Sequence, residues 1–126
     1  MHMARTVLVV EDNPSNMKLA VLLLTREGCE VLQAVDAESG LEVAKAARPE
    51  LIFMDMHLPG MSGLDATKIL KADPQMASIP IVALTAQAMA GDEEQILKAG
   101  CDGYLAKPVR RDQLSAALQR FLGAAS

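Results

Sequence analysis

Apolar and polar positions along this chain fall into alternating short runs and helical stripes. Thr6-Val-Leu-Val-Val10 is a β-branched run that stops at Glu11-Asp12, the pattern of a strand buried on both faces. Asp12 or Asn13 can cap the helix that follows, with Pro14 in its first turn, where a missing N–H costs nothing. Met17, Ala20, Val21 and Leu24 then recur at helical spacing, and Gly28 ends the helix. Glu30 to Ala34 predicts a second strand. Asp36 caps a second helix with Leu41, Ala44 and Ala47 on one face, ending before Pro49. Leu51-Ile-Phe-Met54 is a third buried strand, and it too ends at an acid, Asp55.

Pro59-Gly60 and Gly63 mark a loop, and Ser62-Gly-Leu-Asp65 has capping-box spacing for a third helix through about Lys71. Ile79 to Leu84 is a fourth strand, with Pro80 near its start, where proline is tolerated. A helix with Ile96 and Leu97 stops at Gly100, and Gly103 to Ala106 is a short fifth strand. After Lys107-Pro108 a last helix carries Leu114, Ala117, Leu118 and Phe121 on one face. Five strand–helix units with right-handed crossovers predict an α/β fold with an open, doubly wound parallel sheet, since a closed eight-fold barrel needs about twice the length. Ligands of such sheets bind beyond the carboxyl ends of the strands.

Composition narrows the classes. The 126 residues are 51% apolar, enough for one continuous core without a disulfide scaffold. Only three aromatics (Phe53, Tyr104, Phe121) are present, which argues against base or sugar stacking. Twelve basic residues against sixteen acidic ones, with no basic cluster beyond Arg110-Arg111, argue against direct nucleic-acid binding. Cys29 and Cys101 form no CxxC pair and read as small buried thiols. The longest apolar run, Leu19 to Leu24, is too short for a bilayer, and no signal-peptide layout precedes it, so a soluble cytoplasmic chain is expected. Met1 to residue 4 reads as a tag or disordered start, 5–122 as one domain and 123–126 as a tail.

Candidate chemistry sits at the strand ends: Glu11-Asp12, Asp55, Thr85 and Lys107. Converging carboxylates repel one another, and a hard divalent cation relieves that repulsion; Mg²⁺ suits such a site and leaves room for a phosphoryl group. A lysine and a hydroxyl at the same edge supply donors for phosphoryl oxygens, which is what phosphoryl transfer asks of a protein. Singly, Asp12 is a helix cap, Asp55 a turn residue, Thr85 a strand end and Lys107 a solvated charge. Their joint placement is what those readings leave unexplained. A zinc site on His57, His2 and the cysteines fails on ligand spacing.

The chain resembles the receiver domain of two-component response regulators from Arg5 to Leu122. The resemblance rests on Val-Glu11-Asp12-Asn13, Met54-Asp55-Met56-His57-Leu58-Pro59-Gly60-Met61-Ser62-Gly63, Ala83-Leu84-Thr85-Ala86 and Tyr104-Leu-Ala-Lys107-Pro108. Asn13-Pro-Ser-Asn16-Met-Lys18 and Ala88-Met89-Ala90-Gly91-Asp92-Glu93-Glu94 are similar to single-domain receivers of the DivK kind, and receivers attached to hybrid kinases share both stretches. The resemblance implies a flavodoxin-like strand order 2-1-3-4-5. It also implies Asp55 as phospho-acceptor, and Asp12, Glu11, Asp55 and the Met56 carbonyl as Mg²⁺ ligands. Thr85, Lys107 and the N–H groups of His57 and Ala86 would hold the phosphoryl oxygens. Pro108 would follow a cis peptide bond, and Tyr104 would be the aromatic that turns inward when Thr85 moves. His57 and Gln87 would tune the phosphoryl lifetime, against a simpler reading of His57 as a solvent-facing loop residue.

The implied function is a phosphorylation-controlled switch of a phosphorelay. It would take its phosphoryl group from a histidine kinase or histidine phosphotransfer protein and assist its own phosphorylation and dephosphorylation without being an enzyme in the turnover sense. Output would pass to a downstream protein through the fourth helix, fifth strand and fifth helix, from a monomer or weak dimer, with no nucleic acid or membrane as partner. The alternatives are a receiver excised from a hybrid histidine kinase or larger regulator, and an aspartyl-phosphate phosphohydrolase. A flavin-binding reading fails because no Ser/Thr/Gly-rich phosphate loop follows the first strand, and a degenerate adaptor would have lost one of the acids, Thr85 or Lys107.

Overall fold

The computed structural model describes residues 5–86 and 90–123. The Met1–Met3 start, Gln87, the Ala88-Met89 part of the resemblance and the end of the tail lie outside the described residues. Strands β1 (Arg5–Val10), β2 (Cys29–Ala34), β3 (Leu51–Asp55), β4 (Ile81–Thr85) and β5 (Gly103–Ala106) form one parallel sheet in the order 2-1-3-4-5. Between and after them run α1 (Pro14–Arg26), α2 (Ala37–Ala47), α3 (Gly63–Ala72), α4 (Ala90–Ala99) and α5 (Arg111–Leu122). The predicted doubly wound architecture is the observed one.

Alternation along the central strands divides the core into two layers. Leu8, Val10, Ile52, Met54, Ile81 and Ala83 face α2, α3 and α4, where Ala44, Ala66, Leu70 and Ile96 close the layer. Val7, Val9, Leu51, Phe53, Val82 and Leu84 face α1 and α5, packing with Met17, Ala20, Leu24, Leu114 and Leu118. With both faces covered, β1, β3 and β4 read as continuous apolar runs.

Local chemistry sets the helix ends. The Asn13 side chain, not that of Asp12, caps α1 by accepting from the N–H groups of Ser15 (2.9 Å) and Asn16 (3.1 Å). Asp36 accepts from Ser39 N–H at the start of α2, and Ser62 Oγ from Asp65 N–H at the start of α3. Gly28 and Gly100 take positive φ after α1 and α4.

Three expectations shift. On α2 the buried stripe is Ala37, Gly40 and Ala44, with Leu41 half-buried and Ala47 exposed. The helix approaches β1 so closely that a Cβ on Gly40 would lie 2.9 Å from a Val10 methyl, and that approach centres the contact on Gly40. β4 begins at Ile81 because Pro80 has no N–H to pair, although its carbonyl still accepts from Ile52 (3.0 Å). On the last two helices Ile96 is buried while Leu97 is exposed, and Phe121 is half-buried with the Arg120 guanidinium 4.8 Å above its ring.

Candidate metal and phosphoryl site

All five strands run the same way, so their carboxyl ends meet along one edge of the sheet. β1 pairs with β2 on one side and β3 on the other, so a crevice opens where the strand order reverses. Into it project Glu11, just past β1, and Asp55, the last residue of β3. Thr85 ends β4, and Lys107 follows β5, its N–H bonded to the Thr85 carbonyl at 2.8 Å. The Lys107–Pro108 peptide bond is cis, as the resemblance implies.

Glu11, Asp55 and Thr85 are each 1% exposed, an unusual set of polar groups to bury together. Lys107 Nζ reaches into this group, 2.9 Å from Asp55 Oδ2 and 3.2 Å from Glu11 Oε2. Asp55 Oδ1 accepts from the His57 N–H at 2.9 Å, and Glu11 Oε1 from the Asn13 N–H at 3.1 Å. Glu11 Oε2 is within ion-pair reach of Lys107 but has no partner in hydrogen-bonding geometry. Exposed Asp12 completes the cluster: carboxylate oxygens of Glu11, Asp12 and Asp55 lie within 4.8 Å of one another.

The electrostatics follow from one lysine facing a surplus of acids. Burial pushes the Glu11 carboxyl above its ordinary range, opposed by the Asn13 N–H and reinforced by neighbouring Asp55. Burial also acts to raise Asp55, but the His57 N–H and the Lys107 ammonium outweigh it and hold the carboxyl below its ordinary range. Burial alone would lower Lys107; the two carboxylates beside it hold its ammonium above the usual range instead. Ionisation is thus favoured at Asp55, and of the two acids Glu11 more readily takes a proton. A buried, under-satisfied carboxylate oxygen beside two further acids fits a hard, oxygen-seeking cation.

The remaining predicted residues fall around this centre. Met56 is buried directly after Asp55, its N–H held by the Leu84 carbonyl at 3.0 Å. His57 is exposed, and its N–H, expected to serve phosphoryl oxygens, is occupied by Asp55 Oδ1. Ala86 is exposed beside the crevice, and Tyr104 is half-buried on β5. Cys29 and Cys101 are free and buried, away from any metal cluster among the described residues, and burial pushes both thiols up.

Two supporting residues were read only for their local roles. Asn13 was a possible cap, yet its N–H also holds Glu11. Gly63 was a loop marker, yet a Cβ there would overlap the Asp55 carbonyl oxygen, so only glycine lets α3 start this close to the site. A glycine directly after the Ser62 cap is a weak signal, because glycine suits loops for many reasons.

The chain matches the response regulator receiver domain family over residues 7–119. It belongs to that family. This receiver is 42% identical over 121 residues to the polar-differentiation response regulator DivK of Brucella anthropi, covering 96% of this chain and 98% of that protein. Among solved structures it is similar to the receiver domain of a sensor histidine kinase of Pseudomonas aeruginosa PAO1, whose active-site cleft coordinates a magnesium ion. That match has a TM-score of 0.89 and 38% identity, and covers 97% of this chain and 100% of the other. The chemotaxis protein CheY4 of Vibrio cholerae superposes with a TM-score of 0.88 at 29% identity, over 94% of this chain and 99% of that one. As a receiver the chain acts in phosphorylation-controlled signalling, a class whose members interact with histidine kinases and downstream targets. Among the described residues no helix is long and apolar enough to cross a membrane.

Proposed function

We propose that this receiver takes a phosphoryl group from a phosphohistidine onto Asp55, and that Glu11, Asp12, Asp55 and the Met56 carbonyl hold Mg²⁺ for the transfer. The observation that carries the reading is Asp55 itself: buried, held ionised, and in contact with one lysine inside a three-acid cluster. Bound there, Mg²⁺ would neutralise the carboxylate surplus and draw charge from the phosphoryl oxygens. The chain's own residues do the rest. An Asp55 carboxylate oxygen attacks phosphorus, an O–P bond forms, and the N–P bond of the donor breaks, its electron pair leaving on the imidazole nitrogen. The His57 N–H fixes the Asp55 carboxylate in one orientation through Oδ1. Lys107, already against Oδ2, is placed to follow the new charge on the phosphoryl oxygens. Thr85 at the end of β4 supplies a hydroxyl at the same edge, and exposed Ala86 leaves room beside it. Exposed His57 borders the approach of hydrolytic water, and His57 and Gln87 are the residues assigned to tuning the acyl-phosphate lifetime. The chain thereby assists its own phosphorylation and dephosphorylation as a regulatory domain rather than a turnover enzyme, in the cytoplasm.

Two surfaces support the partner assignments. A groove of about 590 Å³, lined by Pro14, Met17, Val21, Leu22 and Val35, opens directly onto Glu11 and Asp12. Its apolar wall suits a helix of the histidine kinase or phosphotransfer protein that presents the phosphohistidine. A hollow of about 220 Å³ between β5 and α5, lined by Tyr104, Gln113 and Phe121, suits the downstream protein. Incubation with acetyl phosphate and Mg²⁺ should raise the intact mass by one phosphoryl group, and Asp55→Asn or chelation should abolish the gain. Labelling of Asp55→Asn to the wild-type extent would overturn the assignment.

A further inference from the structure

Beside the crevice, between α1, β4 and the turn that follows β5, lies a small and largely enclosed cavity lined by Glu11, Asn16, Leu19, Leu84, Lys107 and Val109. It leaves about 10 Å³ for the centre of a water molecule, enough for one. Three of these residues carry polar side chains, and a buried water makes about three hydrogen bonds. Glu11 is 1% exposed, and its Oε2 has no partner in hydrogen-bonding geometry. An ionised carboxylate accepts at about four positions, and the Asn13 N–H takes one of them, on Oε1. A cation on the crevice side and a donor on the α1 side can therefore share this carboxylate. Asn16 is half-buried in the first turn of α1, its backbone N–H held by Asn13 Oδ1 at 3.1 Å. Asn13 thus anchors both the carboxylate and the residue that shares the cavity with it.

We propose that this cavity is a site for one buried water that links Asn16 to Glu11, and that Asn16 is thereby a positioning residue for the metal centre. The inference rests on the reading of Glu11 as a Mg²⁺ ligand. A glutamate arm turns about several side-chain bonds, and here the ammonium of Lys107 pulls on it from 3.2 Å. A water that donates to Oε2 and accepts from the Asn16 amide holds the carboxylate against that pull, as outer partners of metal ligands commonly do. Lys107, which also borders the cavity, supplies a third contact. The Asn16 side chain never needs to touch the cation. It acts through the water and Glu11.

Calorimetric titration of wild type, Asn16→Leu and Asn16→Ser with Mg²⁺ tests the link. Leucine keeps the size and removes the polar atoms, and should weaken Mg²⁺ binding about tenfold. Serine keeps a hydroxyl and leaves room for a second bridging water, so it should stay within about threefold of wild type. A crystal structure of the metal-free wild type should show one water within hydrogen-bonding distance of Glu11 Oε2 and of the Asn16 amide, and that of Asn16→Leu should lack it. A residue that only packs would change the melting temperatures of the variants and leave their Mg²⁺ affinity alone. Folded Asn16→Leu with wild-type Mg²⁺ affinity, equal losses in both variants, or a wild-type structure without the water would each overturn the inference. Wild type that binds no Mg²⁺ would overturn the metal reading instead, and with it the positioning role; the metal-free structure would still decide whether the water site exists.

Discussion

Two lysine–aspartate bridges of the same 2.9 Å length sit at opposite ends of this sheet, and they differ in what surrounds them. At the amino end, Lys71 from α3 meets Asp102, which precedes β5; their side chains are 20% and 39% exposed. All three donors of the ammonium are used, on the Ala77 carbonyl (3.1 Å), the Ile79 carbonyl (2.9 Å) and Asp102 Oδ2. The same Oδ2 accepts the Ile81 N–H. Charge and hydrogen bonds balance, so the cluster ties α3, the loop before β4 and the turn before β5 together and leaves no unmet need. At the carboxyl end, Lys107 faces two buried carboxylates with a third beside them, and one buried oxygen lacks a hydrogen-bonding partner. A saturated bridge is a fastener. An unbalanced one leaves a charge surplus that a cation can meet.

The largest difference is expected when each lysine is removed. Lys71→Ala strands two carbonyls and a carboxylate, and should destabilise the fold by about 3 kcal/mol. Denaturant melts should give the same loss with and without Mg²⁺. Lys107→Ala should cost about 1–2 kcal/mol without metal, less because Glu11 can take up a proton and relieve the repulsion. Millimolar Mg²⁺ should restore most of that stability. Restoration of both variants, or of neither, would erase the distinction between the two ends.

A smaller effect of opposite sign at the two ends should follow from neutralising one acid at each. Asp102→Asn deprives a saturated lysine of its counter-charge and should cost about 1 kcal/mol. Burial and neighbouring Asp55 hold the Glu11 carboxyl above its ordinary range, so its charge opposes folding. Without metal, Glu11→Gln should leave the fold unchanged or stabilise it by up to about 1 kcal/mol. A clear loss of stability for Glu11→Gln would make Glu11 a structural residue like Asp102.

The two ends also differ in how far the sequence betrayed them. Each acid or donor of the site directly follows an apolar run or ends one, so strand periodicity alone places Glu11, Asp55, Thr85 and Lys107 on one edge. The parallel direction of the strands does the remaining work. Lys71 and Asp102 are 31 residues apart, inside a helix and a turn, and nothing in the local pattern pairs them. Gly40 and Gly63 were illegible as packing residues for the same reason, since each is required by an atom distant in sequence, a Val10 methyl and the Asp55 carbonyl. The apolar pattern begins strand four two residues early, because Ile79-Pro80 extends the run although Pro80 cannot join the ladder. For the cap of α1 the sequence offers two neighbours that share the same chemistry, and only the hydrogen bonds to Asn13 decide between them.

That decision gives the smallest and most discriminating test. With the capping role assigned to Asn13, Asp12 has no structural duty among the hydrogen bonds of α1, and it stands exposed beside two other acids. Asp12→Ala should leave stability within about 0.5 kcal/mol of wild type in the absence of metal. Asn13→Ala should cost about 1 kcal/mol, the usual loss of an N-cap. Added Mg²⁺ reverses the order. At ten times its dissociation constant a cation that binds only the folded chain stabilises it by about 1.4 kcal/mol. Wild type and Asn13→Ala should both gain that amount, while Asp12→Ala, short of one carboxylate, should gain far less at the same Mg²⁺ concentration. Melts of the three proteins with and without Mg²⁺ separate the roles. A loss of several kcal/mol in metal-free Asp12→Ala would show that the residue belongs with Asp102, as part of the fold, and not with the chemistry at the other end of the sheet.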